Sequence, residues 1–237
     1  PTGCELVFEI QRLVMALKKR HPQLVFQLRL IHSKQDLGGA THPDMQAYIS
    51  QRVHQSGIEL VLDTIAEEVT PMHVVTNKGV FESDITILTT GIRPNTDVFK
   101  GILPLDTKGS LLVEPTLQVI GYPDMFALGD IIQMGDLSIL RLAQTAVQEA
   151  KVVAKNIQNK QQGKPLQTYE MKLKGYLVSL GYGDGAGVLF GFFVKGAFAW
   201  FLWRTVYLVK TPGLKNKIRV AVSWTIDLFQ GRDLTTF

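Results

Sequence analysis

Two hydrophobic periods alternate along the opening part of this chain, and that alternation restricts it to an α/β fold. From Glu5 to Arg20 the apolar residues Leu6, Ile10, Leu13, Val14 and Leu17 recur at helical spacing. Lys18, Lys19 and Arg20 stand where cations favour a helix C-terminus, and Pro22 ends the run. Leu24 to Ile31 then reads as a strand, His42 to Gln55 as a helix with Met45, Tyr48, Ile49 and Val53 on one side, and Gly57 to Leu62 as a second strand. Val69 to Val80 suggests a short antiparallel meander turned at Asn77-Lys78-Gly79, and Asp84 to Leu88 a strand feeding Thr89-Thr90-Gly91. The sum is a nucleotide-binding α/β unit with a β-meander crossover. The chain opens Pro1-Thr2-Gly3-Cys4-Glu5-Leu6 without an initiator Met, already in the helix. It therefore reads as a fragment whose first strand and first glycines would lie upstream.

A boundary falls near Gly91 to Asn95. Beyond it, Ser110 to Val113 and Leu117 to Val119 look like short strands. Met125 to Leu128 reads as a buried strand ending at Gly129-Asp130, Ile139 to Gln158 as a helix, and Lys174 to Tyr182 as sheet. From Gly187 the composition turns to Phe, Trp and Leu. The whole chain is 46% hydrophobic and 19% charged with mean hydropathy +0.11, greasy for a soluble enzyme and too polar for many membrane spans. The single Cys4 excludes an internal disulfide framework, a cysteine metal site and a dithiol pair. No metal-ligand cluster, P-loop or nucleophile elbow is present in the sequence, and no signal peptide opens it. The net charge of +4 sits in the tail: from Phe190 on, Lys195, Arg204, Lys210, Lys215, Lys217, Arg219 and Arg232 face only Asp227 and Asp233. Large apolar residues between these cations favour an anionic membrane surface over nucleic acid.

Three segments carry chemistry. Gly129-Asp130 places a carboxylate at a strand end and helix mouth, where it caps a helix or accepts hydrogen bonds from hydroxyls. Taken with the earlier Thr89-Thr90-Gly91 and Thr116-Leu117-Gln118-Val119, it resembles the two-dinucleotide-domain flavoprotein disulfide reductase superfamily. There a T-x-G segment closes the NAD domain and a later G-D delivers an Asp to the flavin ribityl chain. The resemblance implies cofactor-binding roles for Gly91, Gly129 and Asp130, with Gly129 letting the backbone approach the flavin. Ala143-Gln144-Thr145-Ala146-Val147-Gln148-Glu149-Ala150 narrows it, because it resembles the A-Q-x-A-x-Q-x-[GA] helix of type II NADH:quinone oxidoreductases. In that family the helix N-terminus, here Ala143 and Gln144, faces the flavin, and the glutamines, here Gln144 and Gln148, line a quinone pocket. Positions i and i+4 share a helix face, which suits the pair. Lys174-Gly175-Tyr176-Leu177-Val178-Ser179-Leu180-Gly181 resembles the family's K-G-x-L-A-x-L-G strand. Its Lys174 would stand close to the flavin–quinone region, where a cation favours anionic reduced flavin.

The start resembles the family's G-x-G-x-T-G-x-E-[LF]. Gly3 would be the last fingerprint glycine, and Glu5 would contact the nicotinamide of NADH or NADPH. One departure stands out. The family carries an acidic residue after the second strand to hold the ribose 2′-OH, whereas Ile31 here precedes His32-Ser33-Lys34. Repulsion of a 2′-phosphate disappears, and Ser33 and Lys34 would be free to bind one, which points toward NADPH. The tail resembles the family's C-terminal membrane anchor down to Asp227-Leu228-Phe229-x-Gly231-Arg232-Asp233. Lys195, Arg204 and Lys210 interrupt every window long enough to cross a bilayer, so two amphipathic helices lying in the interface are expected, broken at Pro212-Gly213.

The sequence thus implies a partial Rossmann-like α/β two-dinucleotide-domain flavoprotein with an amphipathic helical membrane anchor. Residues 1–91 would bind NAD(P)H, 92–186 would form the C-terminal part of an FAD domain, and 187–237 would be the anchor. The implied activity is FAD-dependent oxidation of NADH or NADPH with two-electron reduction of a membrane quinone, without proton pumping. Its place would be a membrane face on the cytoplasmic or an equivalent side, and the resemblance allows a homodimer through the tail. A biosynthetic demethylnaphthoquinone reductase using NADPH and a non-catalytic membrane-associated remnant are the alternatives.

Overall fold

The computed structural model describes residues 2–37, 42–135, 141–173 and 175–230, with side chains in the last helix to Ile226. The chain opens with α1 (Thr2–Arg20), β1 (Arg29–Ile31), α2 (Pro43–Gln55) and β2 (Glu59–Val61). Pro43 suits the first turn of α2, where its missing N–H would have no helical partner. Met45, Ile49 and Val53 recur along one side of α2 and are fully buried. They meet Cys4, Val7 and Phe8 of α1, so two amphipathic helices build one core. β1 and β2 pair in parallel, Arg29 with Glu59 through Ile31 with Val61. The antiparallel meander β3 (Ala66–Val69), β4 (His73–Thr76) and β5 (Gly79–Glu82) follows.

Next come β6 (Leu111–Val113), β7 (Gln118–Val119), β8 (Tyr122–Phe126), β9 (Ile132–Met134) and α3 (Ala143–Gln161). These strands form a sheet of order β8-β7-β6-β9, with β6 and β9 parallel. Leu111, Val113, Leu117, Val119, Ile132 and Met134 fill its core together with Val153 of α3. The last elements are β10 (Gly175–Ser179), β11 (Gly185–Leu189), β12 (Phe192–Lys195), α4 (Gly196–Lys210) and α5 (Leu214–Gln230). β10, β11 and β12 form an antiparallel sheet in chain order. The Pro212-Gly213 break separates α4 from α5, as proline and a positive-φ glycine together stop a helix.

By packing, residues 1–89 and 175–237 form one compact unit and 90–174 another. Residues 175–186 therefore pack with the nucleotide-type unit, whereas the sequence places them with 92–174.

Several elements differ from the sequence pattern. Only Arg29–Ile31 of the run Leu24 to Ile31 is paired, and Val25 is 93% exposed. Asp84 to Leu88 joins no ladder among the described residues, and Ile85 is 82% exposed. An apolar run becomes a strand only where a neighbour completes its hydrogen bonds. Met125 to Leu128 is not a buried strand: β8 runs from Tyr122 to Phe126 and is mostly exposed, because it is the sheet's edge strand. Only Ala127 beyond it is buried. The helix expected from Ile139 starts at Ala143 and reaches Gln161, while Ile139 itself lies outside the described residues.

Candidate functional site

Within residues 90–174, α3 and the 3-10 turn Gly129–Ile131 make one assembly. Gly129 has φ +80, a left-handed conformation that a side chain strains. A Cβ there would meet Ala146 only at ordinary contact, 3.8 Å, so the glycine serves conformation rather than clearance within this unit. The Gly129 N–H donates to Glu149 Oε2 at 2.6 Å. Glu149 is 1% exposed, and burial, with Asp130 nearby, pushes its carboxyl above the ordinary range despite that hydrogen bond. Asp130 is exposed, and its carboxylate makes no side-chain hydrogen bond among the described residues. Its backbone carbonyl accepts from Arg141 Nε at 3.0 Å, while Arg141 Nη2 donates to Ser110 Oγ at 2.9 Å. Glu149 and Arg141 thus hold the turn's backbone, and the Asp130 carboxylate is exposed.

Ala143 and Gln144 open α3, which Thr145 caps: its Oγ1 donates to the Leu142 carbonyl at 2.7 Å. Gln144 is half-buried. Gln148 lies one turn on, and both ends of its amide engage Lys172: Nε2 donates to the carbonyl at 3.0 Å and Oε1 accepts from the N–H at 3.3 Å. In this conformation the Gln148 amide is engaged at both ends by the Lys172 backbone. Lys174 lies outside the described residues. Gly91 has φ +100, which again favours glycine.

In the other unit, Gly3 lies where a Cβ would come within 2.8 Å of Thr89 Oγ1 and 3.6 Å of Leu30 Cδ1. Only glycine lets α1 sit this close to the extended segment ending at Thr89. Glu5, in the first turn of α1, accepts from the Ser179 N–H of β10 at 3.1 Å. Burial raises its pKa, outweighing the Ser179 hydrogen bond. Trp203 of α4 approaches Glu5 and favours the charged form slightly, although its buried indole N–H completes no hydrogen bond of proper geometry. Burial, then Glu5, also raises Tyr207. Glu5 is therefore half-buried and flanked by α1, β10 and α4. Ser33 and Lys34 lie exposed in the loop after β1, with no side-chain hydrogen bond among the described residues. The Lys34 carbonyl accepts the Asp63 N–H at 3.2 Å, which anchors the loop. Asp36, two residues on, accepts from Gln46 Nε2 at 2.9 Å.

Two carboxylates here belong to no motif. Glu149 was legible in principle, as the acid on the otherwise uncharged buried face Thr145, Val153 and Asn156. Asp184 was not. It is buried at the β10–β11 turn, where it accepts Tyr48 Oη–H at 2.8 Å, Arg52 Nε–H and the Gly185 N–H at 2.9 Å. Burial, then Asp184, pushes the Tyr48 phenol up to about 12.

This arrangement, with Gly3 opening a helix over parallel strands and a Gly-Asp turn set against α3, defines the class. The chain belongs to the pyridine nucleotide-disulphide oxidoreductase family, whose model matches residues 1–150. Residues 174–233 match the NDH2 C-terminal domain, which makes it a member of the type II NADH dehydrogenase branch. The internal alternative NAD(P)H-ubiquinone oxidoreductase A1 of Arabidopsis thaliana is 25% identical over 99% of this chain and 51% of its own length. The type II NADH:quinone oxidoreductase of Haemophilus influenzae is 28% identical over 95% of this chain and 54% of its own. A Plasmodium falciparum NDH2 structure in complex with NADH superposes with TM-score 0.86 at 16% identity, covering 98% of this chain and 64% of that one. The chain thus spans about half the length of the curated relatives it matches. Among the described residues, no helix is long and apolar enough to cross a membrane.

Proposed function

We propose that this chain is the part of an FAD-dependent NAD(P)H:quinone oxidoreductase that holds the nicotinamide nucleotide, one side of the flavin and the membrane contact. The carrying observation is the placement of Glu5. A carboxylate in the first turn of a nucleotide-type helix is flanked by the tail helix α4, so the nucleotide unit and the tail share one interior. FAD, when bound, would supply hydride acceptance and delivery of two electrons to a quinone. Asp130 would hold its ribityl hydroxyls, with Gly129, Gly91, Ala143 and Gln144 framing it. Residues 1–91 serve NADH or NADPH and 92–186 the flavin, although 175–186 pack with the first unit.

Glu5 would orient the nicotinamide and keep water from it, and Lys174 and Gln144 would attend the quinone. Gln148 could reach a quinone only after releasing Lys172. Ser33 and Lys34 favour a 2′-phosphate, with Asp36 held away by Gln46. The tail cations and the exposed apolar stripe Leu214, Ile218, Val222 and Ile226 of α5 set the protein on a bilayer surface, on the cytoplasmic or an equivalent side. The proposed reaction moves electrons from nucleotide to quinone without pumping protons.

The test is purification of the full gene product from membranes. It should be yellow, oxidise NADPH at least as well as NADH, and reduce a water-soluble quinone. A colourless product that stays in the aqueous phase refutes the function. A preference for NADH of tenfold or more, about 1.4 kcal/mol, refutes the nucleotide reading alone.

A further inference from the structure

The β11–β12 hairpin ends in two exposed aromatic rings that no nucleotide, flavin or quinone role uses. Phe190 is 78% exposed and Phe192 75%, one on either side of Gly191. Phe190 sits at φ +50, an unusual conformation for a bulky residue and one that costs about 1 kcal/mol.

The register fixes where the tip points. Leu189 opposes Phe192, Val188 opposes Phe193, Gly187 opposes Val194 and Ala186 opposes Lys195. Opposed residues share a sheet face and neighbours alternate. Ala186, Val188 and Phe193 pack into the α2 core, where Phe193 stacks on His42 at 5.7 Å and meets Tyr48 edge-on. Leu189, Phe192 and Val194 therefore belong to the opposite face. That is the face α4 covers, since a Cβ on Gly185 would lie 3.1 Å from the Trp200 backbone N. On the outer side of α4, Phe198 and Phe201 are exposed too.

Charge selects the occupant. Between Phe190 and Ile226 the sequence has Lys195, Arg204, Lys210, Lys215, Lys217 and Arg219 and no acidic residue. A second copy docked symmetrically would set these cations against themselves. An anionic bilayer surface complements them and accepts aromatic rings at headgroup depth.

We propose that the Phe190-Gly191-Phe192 tip is a lipid-inserting finger that enters an anionic bilayer surface beside α4. This rests on the membrane-surface reading above and extends it to an element outside the tail helices. The experiment uses the full gene product and phosphatidylcholine vesicles with and without phosphatidylglycerol. Phe190→Ser and Phe192→Ser should each weaken binding to the anionic vesicles by about tenfold. Phe192→Leu should stay within about threefold. A Phe192→Cys variant carrying an environment-sensitive dye, with any accessible cysteine outside this chain replaced, should be quenched by brominated acyl chains, since Cys4 is buried. Unchanged binding by the serine variants with an unquenched dye, while the wild type binds, overturns the finger and leaves the membrane reading intact. A wild type that ignores both vesicles overturns both. A wild-type dimer abolished by the serine substitutions assigns the tip to a second copy and overturns the proposal as well.

Discussion

Glu149 offers the sharpest perturbation, because one buried carboxylate holds the backbone of the Gly129-Asp130 turn. Its Oε2 accepts the Gly129 N–H at 2.6 Å with the side chain 1% exposed. A hydrogen bond with one charged partner contributes about 1.5–3 kcal/mol, and an orphaned buried amide costs a similar amount. Glu149→Ala removes the acceptor, and at φ +80 Gly129 has no helical partner in its place. The expected destabilisation is about 2–3 kcal/mol. Glu149→Gln keeps a carbonyl oxygen in place while removing a buried charge and its repulsion with Asp130, so it should stay within about 1 kcal/mol of wild type at neutral pH.

The pH dependence separates the two variants further. Burial raises the folded pKa of Glu149 above its ordinary 4.5. The folded state then binds more protons than the unfolded chain, so the stability this group contributes is full below 4.5 and is lost as pH rises through the folded pKa. Glu149→Gln should remove that fall. Urea unfolding followed by far-ultraviolet circular dichroism, in mildly acidic and mildly alkaline buffer, reads both effects. An alanine variant within about 0.5 kcal/mol of wild type, or a glutamine variant as weak as alanine, would show that the turn does not depend on this acceptor.

Further outcomes follow from the tail-bearing unit. Asp184→Ala takes the acceptor from Arg52 Nε–H, the Tyr48 hydroxyl and the Gly185 amide and should cost about 2–4 kcal/mol in denaturant unfolding. In Asp184→Asn, ultraviolet titration should find the Tyr48 phenol below its present value of about 12. Gly187→Ala places a Cβ 2.5 Å from both the Tyr176 carbonyl oxygen and Leu177 Cδ2, and 3.0 Å from Leu177 Cα. It should cost about 2–3 kcal/mol, since two of these atoms are backbone and cannot turn aside. Glu5→Gln should remove a second fall in stability above pH 4.5, because the folded Glu5 carboxyl is likewise raised, and it should lower the Tyr207 phenol pKa.

The helices were legible where a stripe met a stop. Leu6 to Leu17 with Pro22 fixes α1, and Pro212-Gly213 fixes the break between α4 and α5, because periodicity and φ restriction are local properties. Strands were less legible. Asp84 to Leu88 and Leu24 to Ile31 have the right composition, but pairing is a property of neighbours, and only Arg29–Ile31 finds one. At the candidate site, the roles expected of Gly3, Glu5, Gly129 and Asp130 come from motif resemblance. The company they keep was not legible. Arg52 and Asp184 meet across 132 residues, and Gln148 turns its amide to a backbone 24 residues away. No local pattern encodes either contact.

The tail is part of the interior of the unit it joins. Gly185 clears the face of the β10–β12 sheet on which α4 sits, and Ala199 of α4 is fully buried there. The other face receives α2, held by the Asp184 contacts. Glu5 lies between α1, β10 and α4, and burial is the first cause of its raised pKa. Displacing α4 should therefore hydrate Glu5 and bring its pKa back toward the ordinary 4.5. The coupling is reciprocal: whatever protonates Glu5 also makes it easier to bury, and so favours α4 seated on the sheet.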